Sequence, residues 1–93
     1  MPWSAKRKAD LYQDLDILLD DLCREWGFCN HLTAADLIPA GAALSATEFA
    51  CAVLEAEGMN PDYEVSWMRQ IRDRFAARYG SAISLQSYAR NQT

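Results

Sequence analysis

Residues 44–79 read LSATEFACAVLEAEGMNPDYEVSWMRQIRDRFAARY, two helical patterns joined by a punctuated turn. Ser45 and Glu48 have the S-x-x-E spacing of a capping box. The hydroxyl accepts from the N–H three residues on, and the carboxylate answers the cap's own N–H. Leu44 before the cap and Phe49 after it fit an apolar staple across the helix start. The spacing predicts a helix over 46–57, ended by Gly58 in the left-handed region. Asn60 then caps a second helix, with Pro61 at a first position that needs no N–H. Asp62 and Glu64 suit the positive end of that helix's dipole. This second helix is predicted over 61–79, with Gly80 as its stop.

At 100° per residue the first of these helices is apolar nearly all round, leaving Glu48 and Glu55 as a narrow wet stripe. Such a helix belongs at the centre of a small domain. The second has an apolar arc of Val65, Met68, Ile71, Phe75 and Tyr79. Arg72 falls inside that arc, so it must reach solvent or meet a carboxylate, with the acids of the chain's first helix as its expected partners. Along the edge of the arc run Tyr63, Trp67, Arg74 and Arg78.

Outward from this centre, Ser4 caps a long helix over 5–26. Leu11, Tyr12, Leu15, Leu18, Leu19, Leu22, Cys23 and Trp26 share one arc of roughly 140°. Ile17 breaks the pattern on the polar face. Gly27 ends the helix. Thr33 and Asp36 form a second capping pair for a short helix over 34–38, stopped by Pro39 and Gly41. Ser84 is the expected cap of a last short helix over 84–90, with fraying at 1–3 and 91–93. The fold expected is all-α: one orthogonal helical bundle spanning 1–93, with three main helices and two short ones.

Composition agrees with a globular chain. Of 93 residues, 51% are hydrophobic and 24% charged, which suits one modest core. Net charge is −4, but it is segregated. Residues 10–64 carry twelve acids against Arg24 alone, whereas residues 65–93 carry five arginines against Asp73. The two regions attract each other within the fold, or head-to-tail between copies, which leaves a homodimer open. After the basic cluster Lys6, Arg7 and Lys8 come Asp10, Asp14 and Asp16, where a secretory signal would need an apolar run. Uncharged runs such as Leu37–Thr47 are too short to span a bilayer. No membrane association is expected, and the location expected is the cytoplasm.

Three cysteines, Cys23, Cys29 and Cys51, are an odd number and argue against a disulfide framework. Three free thiols are expected, with Cys23 and Cys51 packed as small hydrophobes. Cys29 and His31 make a C-x-H. Even joined by Cys23 and Cys51 they lack the C-x₂₋₄-C pairs typical of structural zinc. Neither metal nor cofactor is expected. Catalysis finds no motif either: there is one histidine, no glycine-rich phosphate loop and no G-x-S-x-G elbow. Asp20 and Asp21 point about 100° apart on a helix, which is a solvated edge before it is an acid/base dyad. The chain is therefore read as a non-enzyme.

Leu44, Ser45, Glu48 and Phe49 give a segment that resembles the L-[ST]-x-x-E-F helix of winged-helix response-regulator domains. The resemblance covers those few residues. It implies that the next helix would read DNA. That helix opens with Pro61, Asp62, Tyr63 and Glu64, whose two carboxylates would face phosphates. No glycine-marked strand pair follows Tyr79 to make a wing. A helix-turn-helix DNA-binding regulator is thus the alternative, and nucleic acid is not the expected partner.

The leading expectation is a protein–protein interaction module with a regulatory role. Tyr63, Trp67, Arg74 and Arg78 have the residue types that dominate interface hot spots. Arginine stacks on aromatic faces and grips carboxylates in a bidentate way, so the expected partner is a protein with an acidic surface. Trp67 taken alone reads first as a core residue and second as a contact. Ile17 is the candidate for a secondary contact.

Overall fold

The computed structural model describes residues 7–29, 32–38 and 43–84. In chain order these form α1 (Arg7–Trp26), α2 (Ala34–Leu37), β1 (Ala43–Ser45), α3 (Ala46–Ala56), α4 (Val65–Tyr79) and β2 (Ala82–Ser84). One hydrophobic cluster takes residues from every one of these elements, with Leu11, Leu15, Leu18, Leu22, Phe49, Leu54, Ile71 and Phe75 at its fully buried centre. The Phe49 and Phe75 rings meet at 5.1 Å and join α3 to α4.

The expected helix starts hold where a side chain can satisfy the first free N–H groups. Ser45 Oγ accepts from Glu48 N at 3.0 Å, and Glu48 Oε1 accepts from Ser45 N at 2.9 Å. Thr33 and Asp36 close the same reciprocal box on α2. Asp16 Oδ1 of α1 accepts from Ala34 N at 2.9 Å, which ties the first turn of α2 to α1. Gly58, at φ 79°, ends α3. Its N–H donates to Glu55 O and that of Met59 to Leu54 O, the paired bonds of a Schellman stop.

The structure departs from the expected fold at three places. First, the chain is mostly helical but not purely so. Gly80 turns the backbone at φ 83°, and residues 82–84 run back antiparallel to 43–45, with Leu44 opposite Ile83. Both of those side chains are buried, and Ala46 N donates to Ser81 O at 2.8 Å. Ser84 therefore stands in a strand rather than at a helix start. The remainder of the helix expected over 84–90 lies outside the described residues, as do residues 1–6 and 91–93.

Second, α4 begins at Val65 rather than Pro61. Asn60 folds a local turn: its Oδ1 accepts from Asp62 N at 2.9 Å, and its carbonyl accepts from Tyr63 N and Glu64 N. Proline's fixed φ suits the second position of a turn as well as the first of a helix, and here the turn wins.

Third, Cys23 and Cys29 are joined by a disulfide, with Cα atoms 4.4 Å apart, and Cys51 is the free thiol. An odd count allows one pair and one leftover. Gly27, at φ 81°, reverses the chain at the end of α1 and brings Cys29 back beside Cys23.

Candidate functional site

Helix α4 has two faces with different work. The inner face places Ile71 and Phe75 in the core at 0% exposure. Beside them, Trp67, Arg74 and Arg78 meet α1. The Trp67 ring lies 5.3 Å from Trp26 and 4.9 Å, edge-on, from Phe28. Arg74 donates to both Glu25 oxygens, at 2.7 and 3.2 Å, and its guanidinium lies 4.7 Å over the Trp26 ring. Arg78 pairs with Asp14 through Nε and Nη2. Tyr79 donates to the other Asp14 oxygen at 2.9 Å.

These contacts set the local charge states. The Arg74 hydrogen bonds hold the Glu25 carboxyl below the usual carboxylate range. Glu25 and Asp14 in turn push the two guanidinium groups up, so both stay charged. Burial and then the bond to Asp14 push the Tyr79 hydroxyl well above the ordinary tyrosine value. A neutral Tyr79 is what lets it donate. The acidic first helix and the basic last third thus pair within one molecule, through Glu25–Arg74 and Asp14–Arg78.

The outer face of α4 is different. Val65, Arg69, Arg72 and Ala76 follow spacings of four, three and four, share one stripe, and are all exposed. Arg72 sits in solvent, the outward resolution of its place in the sequence pattern. Among the described residues neither Arg69 nor Arg72 makes an ion pair. Just before the stripe stands Tyr63, 82% exposed, followed by Val65 at 65%.

The four expected contact positions are therefore divided. Tyr63 stands in the open, whereas Trp67, Arg74 and Arg78 are engaged with α1. Ile17 is exposed at 46% on α1. The residues that sequence reasoning passed over are Val65, Arg69 and Arg72. Their spacing of four and three was the available signal, but the wheel placed Val65 and Arg72 inside the apolar arc.

A cleft of about 390 Å³ lies between α1 and the segment after it, lined by Asp16, Leu19, Asp20, Cys23, Phe28, Cys29 and Leu32. Its two carboxylates are engaged: Asp16 by Ala34 N–H and Asp20 by Arg24 at 2.8 Å. Among the described residues no three histidine, cysteine, aspartate or glutamate side chains stand together as a metal site. His31 lies outside those residues. No described helix is long and apolar enough to cross a membrane. Comparison with protein-family models, with curated proteins and with solved structures finds no match to the chain.

Proposed function

We propose that this chain is a protein–protein interaction module, regulatory and without catalysis of its own, that works as one small domain with its helices in an orthogonal bundle. The observation that carries this reading is the outer stripe of α4. Tyr63 and Val65 offer apolar surface, and Arg69 and Arg72 offer two cations with no described carboxylate to neutralise them. Tyrosine and arginine are the residue types of interface hot spots, and guanidinium groups with no ion pair among the described residues favour an acidic protein surface. Trp67, Arg74 and Arg78 enter as the scaffold that fixes the stripe, by clamping the other side of α4 to α1. Ile17 adds a secondary contact. A second copy of the chain, rich in acids over residues 10–64, is one form the partner can take.

The DNA-binding alternative draws on the same two arginines, which stand on the second helix of an α3–turn–α4 unit. Against it stand Asp62 and Glu64 at the end that would enter a groove. Affinity capture from native cytoplasm, with and without nuclease, decides between them. Capture of an acidic protein that survives nuclease supports the module, and loss of all partners on nuclease supports the alternative.

The cytoplasm remains the proposed location. There a disulfide is ordinarily transient rather than permanent, and the Cys23–Cys29 bridge has to be understood in those terms.

A further inference from the structure

We propose that the Cys23–Cys29 bridge is a reversible redox latch that holds the Phe28 loop closed on Trp26 and Trp67. Cys23 belongs to the last turn of α1, and Cys29 lies three residues beyond the helix end. Between them the chain carries Phe28, 5% exposed, into the aromatic cluster, 6.4 Å from Trp26 and 4.9 Å from Trp67. The bridge thus closes a seven-residue loop whose one buried side chain buttresses the first turn of α4.

One feature separates a latch from a permanent staple. Cys29 is exposed and lies on the wall of the cleft over Leu19 and Leu32, so an incoming thiolate can reach its sulfur. Cys23 is half-buried on α1, which makes Cys29 the more open of the two.

The reductant is a dithiol, free or on a protein. One of its thiolates attacks Cys29 Sγ, the Cys23–Cys29 bond breaks, and Cys23 leaves as a thiolate that takes up a proton. The second thiol of the reductant then attacks the mixed disulfide, releasing Cys29 as a thiol and leaving the reductant as its own disulfide. Two electrons and two protons pass to the bridge. The loop is then held by Gly27 N–H on Cys23 O, Phe28 N–H on Leu22 O and Cys29 N–H on Gly27 O, together with the burial of Phe28. In the chain-entropy model, closure over seven residues favours the folded chain by on the order of fifty-fold, and reduction removes that contribution.

The test uses the full chain and needs no partner, so its outcome is independent of the contact surface proposed above. Oxidised protein is expected to yield one titratable thiol in denaturant, that of Cys51. Dithiothreitol added under native conditions should raise this to three within minutes while helical circular dichroism is kept. Amide exchange over 27–29 should accelerate roughly tenfold or more and tryptophan emission should shift. Oxidised glutathione should reverse both. Cys29→Ser should match the reduced protein whatever the redox conditions, and Cys51→Ser should leave the response unchanged. A bridge that resists dithiothreitol until denaturant is added would overturn the proposal, as would identical exchange and emission in the two states.

Discussion

Arg74 and Glu25, forty-nine residues apart, meet in a two-pronged ion pair, at 2.7 and 3.2 Å, that lies against the face of Trp26. The pair couples the end of α1 to the middle of α4 and points the opposite face of α4 outward. Its planar fork explains why arginine rather than lysine stands there: only a guanidinium can grip both oxygens and stack on the ring together. Arg74→Lys should therefore lower Tm nearly as much as Arg74→Ala, by a few degrees in each case. Recovery of the wild-type melt by lysine would show that charge alone matters at this position.

The same pair sets an acid limb. Glu25 is held ionised in the folded state, so its contribution is present above the ordinary glutamate range near pH ~4.3 and is lost as pH falls through its lower folded value. Glu25→Gln should flatten that part of the stability–pH curve while leaving the alkaline side unchanged. Equal acid sensitivity in the variant and the wild type would place the linkage elsewhere.

Tyr79 sets the opposite limb. Its hydroxyl is held neutral by burial and by the bond to Asp14. The folded state therefore keeps a proton that the unfolded chain gives up near pH ~10, and stability falls as pH rises above that value. Tyr79→Phe should remove this component and cost about 1 kcal/mol at neutral pH for the lost hydrogen bond. Alkaline unfolding identical in the variant would contradict the assignment.

The cap of α3 carries a further expectation. Ser45 closes the box with Glu48 and also pairs with Ala82 in the ribbon. Ser45→Ala should cost about 1 kcal/mol through the cap, and Ser45→Thr should retain most of it because both the box and the strand tolerate threonine. A melt unchanged by alanine would mean that α3 does not depend on its cap.

How much of this was legible in the chain follows from the range of each interaction. Ser45–Glu48, Thr33–Asp36, Gly58 and the leucine arc of α1 are local patterns, and the structure keeps all of them. The ribbon was not legible, because the pairing of Leu44 with Ile83 depends on where Gly80 sends the chain and leaves no periodicity in three residues. The Asn60 turn was misread because asparagine followed by proline suits a cap and a turn equally. The cysteine pair was hidden by parity, since counting thiols says nothing of which two a glycine turn brings together. At the site, the wheel found the α4 edge but could not say which arginines α1 would claim: Glu25 and Asp14 took Arg74 and Arg78, and Arg69 and Arg72 were left in solvent.

Trp67 separates scaffold from surface. It is half-buried on Trp26 and Phe28, so Trp67→Ala should cost about 2–4 kcal/mol, somewhat under the toll of a fully buried ring. Trp67→Phe should recover much of the loss. A stable, fully folded Trp67→Ala protein would move this residue from the scaffold to the contact surface.

The central claim is that the outer stripe of α4 meets the partner while the inner arginines hold the fold. Two double variants of the same charge change test it against each other: Arg69→Ala/Arg72→Ala and Arg74→Ala/Arg78→Ala, each measured for Tm and for titrated binding to the captured acidic protein below its melting range. The outer pair should leave Tm within about 1 °C, since exposed side chains with no ion pair among the described residues shift stability little, and should weaken binding at least tenfold. The inner pair should lower Tm by several degrees and leave the affinity of the folded protein within about threefold. Full binding by the outer double variant, with loss of binding by a folded inner one, would contradict the account.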